Sequence, residues 1–142
     1  MIRKFEENDL TDIMKLWLDT NISAHDFIPG DYWKNNFEMV KEILPQAEVY
    51  VFEEETDGQI VGFVGLTDNY IAGIFVRNDY QAKGIGSKLL DYIKEIKPSL
   101  KLSVYEKNIS AIEFYKKADF IIESENIDED NNEKEFTMSW IK

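Results

Sequence analysis

Seven residues, Gln81-Ala82-Lys83-Gly84-Ile85-Gly86-Ser87, stand between a strand pattern and a helix pattern. Residue types in that order suit an anion cradle. The first turn of a helix has four backbone N–H groups without partners and carries about half a positive charge. Glycines there let the main chain come close to a pyrophosphate. A helix start that binds nothing has the same local pattern, so charge distribution is the second observation. From Arg77 to Lys117 there are nine Lys and Arg against five Asp and Glu, a net +4, while the rest carries seven against 23, a net −16. An acidic chain that keeps its basic region around a glycine loop points to an anion bound there. Two nucleotide motifs are excluded: the dinucleotide fingerprint needs a further glycine in a parallel βαβ unit, and Walker A needs Gly-Lys-Ser/Thr at its end.

Other reactive side chains are few. Cysteine is absent, which excludes disulfides, thiolate metal sites and a thiol nucleophile. His25 is the single histidine, so a multi-histidine metal centre is excluded and no metal is expected. A reference pKa of about 6.5 suits His25 to general base work, although a loop histidine equally packs or caps.

The elements that must position these groups follow from periodicity. Ile2 to Phe5 alternates like a strand, and Asn8 is placed to cap a helix with Leu10, Ile13, Met14, Trp17 and Leu18 on one stripe. A loop from about Asn21 holds His25, Asp26 and Phe27, and a second helix runs from about Asp31 to just before Pro45. Val49–Phe52, Ile60–Leu66 and Tyr70–Val76 read as a three-stranded meander, with Asp57-Gly58 as its first turn. A helix over Gly84–Ile96, a strand over Leu100–Tyr105, a helix from the Asn108 cap to Ala118, and strands over Phe120–Ser124 and Phe136–Ile141 complete the chain. The predicted order is β-α-α-β-β-β-α-β-α-β-β, an α/β sandwich with a mixed, mostly antiparallel central sheet flanked by helices. The 142 residues are expected to form one domain over 1–142. A formal charge of −12 disfavours nucleic acid and anionic membranes as partners. No apolar leader opens the chain, and the longest weakly charged stretch, Gly58 to Val76, contains Asp68 and four glycines and reads as strands. A cytoplasmic location is expected.

Two linked motifs carry a family resemblance. Ile74-Phe75-Val76 followed by Gln81-x-x-Gly84-x-Gly86, then Leu102-x-Val104 and Asn108-x-x-Ala111-x-x-Phe114-Tyr115, resemble in order and spacing the acetyl-CoA motifs of the GNAT N-acetyltransferase family. His25-Asp26-Phe27 and the helix to Leu44-Pro45 are similar to a subgroup of small bacterial members, and the predicted order covers essentially the whole chain. The resemblance implies that Ile74, Phe75 and Val76 pair with the pantetheine amides like an added strand. It implies that Gln81, Ala82, Lys83, Gly84, Ile85, Gly86 and Ser87 cradle the pyrophosphate, with Lys83 adding charge or simply facing solvent. Asn108 and Ala111 would then meet the cofactor near its sulfur arm, where capping is the plainer job for Asn108. Tyr115 would protonate the departing CoA thiolate, since a phenol of pKa about 10 has a proton to give. One departure is visible. The family's Gly-Phe after this helix is Asp119-Phe120 here, and aspartate takes the left-handed conformation only at a cost.

The implied reaction is acetyl transfer to a primary amine by direct attack through a tetrahedral intermediate. A base must take the amine's proton. Family members often place a carboxylate on the strands beside the cofactor. Asp68 is the carboxylate at that place, though Asp68-Asn69 also reads as an ordinary turn. His25 is the other candidate, in a loop that borders the acceptor site in this family. Asp26 would bind a cationic acceptor, Phe27, Tyr32 and Trp33 would wall its pocket, and Tyr70 would line it or hold a water, although helix-spaced aromatics are more often core formers. The stretch Glu123 to Glu135, with seven acids in 13 residues, reads as a solvated hairpin loop that also draws in an amine or basic peptide. A monomer or homodimer is expected. A non-catalytic acyl-CoA sensor is the alternative reading.

Overall fold

The structure is a computed structural model describing residues 1–142. Seven strands form one sheet: β1 (Ile2–Lys4), β2 (Glu48–Glu53), β3 (Ile60–Thr67), β4 (Tyr70–Val76), β5 (Ser99–Tyr105), β6 (Ile121–Asp128) and β7 (Glu133–Ile141). The helices are α1 (Leu10–Ala24), α2 (Gly30–Ile43), α3 (Ile85–Ile96) and α4 (Ile109–Lys117). Strand order is β1-β2-β3-β4-β5-β7-β6, and every neighbouring pair is antiparallel except β4–β5. The predicted order and class are therefore the observed ones. No helix is long and apolar enough to cross a membrane.

Two apolar clusters sandwich the sheet. Ile13, Met14, Leu16 and Trp17 of α1 and Trp33 of α2 pack with Val49, Val51 and Phe63. Ile85, Leu89, Leu90 and Ile93 of α3 and Ile112 and Tyr115 of α4 pack with Val61, Leu66, Ile71, Leu102 and Met138. Each such side chain contributes about 1.5–3 kcal/mol when fully buried.

Three local expectations are corrected. Asn8 does not cap α1: it lies inside a short 3-10 turn, and the buried Asp9 serves this corner instead. Its carboxylate accepts from the Glu6 N–H at 2.8 Å and from two Arg3 nitrogens at 2.8 and 3.0 Å. Helix α1 also runs past Asn21 to Ala24, because Thr20 and Asn21 turn their polar atoms onto the carbonyls of Leu16 and Trp17. The acidic stretch is mainly strand, with a turn only at residues 129–132. Lysines reach two of its charges: Lys134 on β7 lies 3.1 Å from Glu125 on β6, and Lys101 on β5 lies 3.5 Å from Glu123 across β7. Opposite charges across strands support the ladder.

Candidate active site

A break in the sheet makes the site. Pairing of β3 with β4 steps from Gly65↔Gly73 to Leu66↔Ile71, which leaves Ala72 as an extra residue. Such a bulge bends its strand and ends pairing nearby. The parallel contact of β4 with β5 accordingly covers only Tyr70↔Lys101 and Ile71↔Leu102. Beyond the bulge, Ile74, Phe75 and Val76 pair with β3 on one edge and with nothing on the other. The strands part there into a cleft of about 560 Å³.

The starts of α3 and α4 face this cleft together. Gln81 bridges the loop by donating from Nε2 to the Val76 carbonyl at 3.0 Å and to Asn78 Oδ1 at 3.2 Å. Ala82 (φ 63°) and Gly84 (φ 85°) are both left-handed, a geometry glycine takes freely and alanine only at a cost. The main-chain N–H groups of Ile85, Gly86 and Ser87 donate to no protein acceptor, and Gly84 offers no side-chain cap. At the other helix, Asn108 accepts from the Ala111 N–H through Oδ1 at 3.2 Å. That bond turns its Nδ2 toward His25 Nε2, 3.3 Å away. His25 Nδ1 lies 2.9 Å from the Asn21 carbonyl, which assigns the ring proton to Nδ1 and the lone pair to Nε2. Burial lowers the His25 pKa, opposed by the Asn21 bond, so the ring is neutral at pH 7.

Tyr115 stands on α4 in the same cleft, its ring packed against Phe114 and Phe120 at 5.1 and 5.4 Å. Its hydroxyl makes no hydrogen bond within the protein. Burial holds its pKa well above that of a free phenol, so the proton stays on at neutral pH.

The cleft brings together His25, Ile74, Phe75, Val76, Gln81, Ala82, Gly84, Ile85, Gly86, Ser87, Asn108, Ala111 and Tyr115. Lys83 is outside its wall, with its ammonium 4.9 Å from the centroid of the Tyr80 ring. Asp68 (φ 54°) forms the β3–β4 turn at the paired end of β4, and Tyr70 beside it is 42% exposed; neither reaches the cleft. Asp26, Phe27 and Tyr32 are not lining residues either. Phe27 instead packs on His25 at 5.7 Å and on Tyr105 at 5.6 Å, while His25 stacks on Trp33 at 5.1 Å. The β6–β7 turn folds onto this aromatic group: Tyr105 donates to Asp128 at 2.6 Å and Tyr32 to Asp130 at 3.2 Å. Burial and then these carboxylates raise both phenol pKa values, so both tyrosines remain donors. Sequence reasoning missed Thr20, Asn21, Ser23, Ala24, Tyr80, Ser110 and Phe114 in the lining. Thr20 and Asn21 did leave a signal, as polar residues interrupting the apolar stripe of α1.

A mixed sheet opened beside its one parallel pair, with two helix starts and an unpartnered phenol at the opening, defines an acyl-transfer enzyme class. Residues 45–122 match the acetyltransferase (GNAT) domain family, and the chain belongs to that family of N-acetyltransferases. It is 34% identical over 142 residues to the peptidyl-lysine N-acetyltransferase YiaC of Escherichia coli K12, covering 99% of this chain and 96% of that protein. The solution structure of apo-form YjaB from Escherichia coli superposes with a TM-score of 0.86 at 25% identity, covering 99% of this chain and 96% of that one. The fold also matches the structure of the acetyltransferase YncA from Salmonella typhimurium with its cofactor acetyl-CoA, with a TM-score of 0.69, 16% identity, and coverage of 99% and 92%.

Proposed function

We propose that the chain moves an acetyl group from acetyl-CoA to the side-chain amine of a lysine in a peptide or protein. One observation carries the reading: the free edge of β4, the unpartnered amides of Ile85, Gly86 and Ser87 and the unpartnered hydroxyl of Tyr115 line one cleft. A long ligand with an anionic end, an amide-bearing arm and a reactive tip fits that sequence of groups. Acetyl-CoA supplies the acetyl group as an activated thioester. The names of YiaC and YncA support the donor and the acceptor class.

The roles divide along the cleft. The N–H groups of Ile85, Gly86 and Ser87, in the first turn of α3, hold the pyrophosphate. The main chain of Ile74, Phe75 and Val76 binds the arm as a neighbouring strand would. A main-chain N–H on that edge stabilises negative charge developing on the acyl oxygen. The Asn21 carbonyl orients the His25 ring, and the attacking amine replaces the Asn108 Nδ2 donor at Nε2, where His25 takes its proton. His25 is preferred to Asp68 because it lines the cleft and Asp68 does not. Tyr115 gives its proton to the departing sulfur.

The test is thiol release from acetyl-CoA with a lysine-containing peptide whose N-terminus is blocked. The expected result is release that requires the lysine and yields an acetylated ε-amine by mass spectrometry. Release equal to the peptide-free blank would refute the reading.

A further inference from the structure

Beside the cleft is a receptor for an ammonium group, and one of the chain's own lysines rests in it. The Lys107 Nζ lies 5.6 Å from the centroid of the Phe27 ring and 3.1 and 3.3 Å from the two carboxylate oxygens of Glu133. An aromatic face and a carboxylate together suit an ammonium ion. The receptor half is built into the fold. Phe27 is held edge-on by His25 and Tyr105, and the Glu133 side chain is only 17% exposed. The cation half is a loose arm, 57% exposed, on the residue just before the Asn108 cap. The receptor also adjoins the chemistry, because the Phe27 ring packs on His25, whose Nε2 meets Asn108 in the cleft. Lys107 pairs with Glu133, while Asp128 and Asp130 beside it accept hydrogen bonds from Tyr105 and Tyr32.

We infer that Phe27 and Glu133 form a subsite for a second positive charge on the acceptor, occupied by Lys107 until the acceptor displaces it. The inference rests on the amine-acceptor reading above. It narrows the acceptor to an amine with a second cation nearby, such as a peptide lysine next to a basic residue. Lys107 then sets specificity by competing with that cation.

The experiment uses two blocked peptides with one lysine each, flanked by glycines or by arginines, and measures KM by thiol release. Arginine supplies charge and does not itself accept acetyl under these conditions. In the wild type the arginine-flanked peptide has the lower KM. Lys107→Met widens the ratio of the two KM values about threefold to tenfold, the size of one exposed cation–π contact with an ion pair. Glu133→Gln collapses the ratio toward one, and Phe27→Leu gives the same loss if Glu133→Gln does not fold. Equal ratios in the wild type and all folded variants would overturn the subsite while leaving acetyl transfer intact. No release with either peptide would instead remove the amine-acceptor reading and the subsite with it.

Discussion

His25 holds its ring proton on Nδ1 against the Asn21 carbonyl and points a lone pair at the cleft. Burial lowers its pKa, so the basic form survives to lower pH than a free imidazole allows. The acid limb of kcat/KM is therefore expected below the reference value of about 6.5, and His25→Gln should remove that limb and cost roughly 100-fold in rate. A limb unchanged in His25→Gln would assign the base elsewhere. At this scale the sequence was most legible where the chemistry is local. The 81–87 loop, Asn108 and Tyr115 lie on two continuous segments, and spacing alone brings them to helix starts. Asp68 and Tyr70 were misplaced because sequence proximity to β4 does not tell which end of that strand opens. The bulge at Ala72 decides that; the strand glycines Gly65 and Gly73 beside it are the kind of residue that marks a bulge, but they do not tell which end of β4 parts from its neighbour.

Element α4 ends in the left-handed turn its sequence suggested. Asp119 has φ 71°, the Phe120 N–H reaches the Tyr115 carbonyl at 3.0 Å, and the Asp119 N–H reaches that of Lys116 at 3.1 Å. The Tyr115 and Phe120 rings close the turn. This is a complete Schellman arrangement with aspartate where glycine is unstrained. Asp119→Gly should raise stability by about 0.5–1 kcal/mol, because relief of left-handed strain exceeds the added freedom of the unfolded chain. A fall in the thermal midpoint would contradict this. The acidic C-terminal hairpin was less legible. Seven acids in 13 residues look solvated, yet the Glu133 side chain is only 17% exposed; what composition hides is that lysines on β5 and β7 lie within reach of Glu123 and Glu125.

Across the whole molecule, an ionic corner adds to the β1–β2 ladder in tying the N-terminal strand to the sheet. Arg3 bonds the buried Asp9 twice and Glu53 at 2.5 Å. Its guanidinium holds the Asp9 carboxyl below the usual range. A depressed carboxylate stabilises the fold above the unfolded value of about 3.9, and that contribution fades as pH falls through the folded value. Asp9→Asn should therefore cost about 2 kcal/mol at neutral pH, and the gap from the wild type should narrow in acid. A gap that stayed constant from pH 7 to strong acid would place the loss elsewhere. On this scale the layer order was readable because α1 and α3 each show one apolar stripe, whereas the parting of β4 from β5 depends on strands that meet only in the folded sheet. That parting leads to Tyr115, whose hydroxyl has no structural bond to lose. The most direct measurement is steady-state acetyl transfer to a lysine peptide by Tyr115→Phe beside the wild type. A fall in kcat of about 100-fold, with the KM for acetyl-CoA within about twofold, is the predicted result. A variant with wild-type kcat would contradict a general acid at Tyr115.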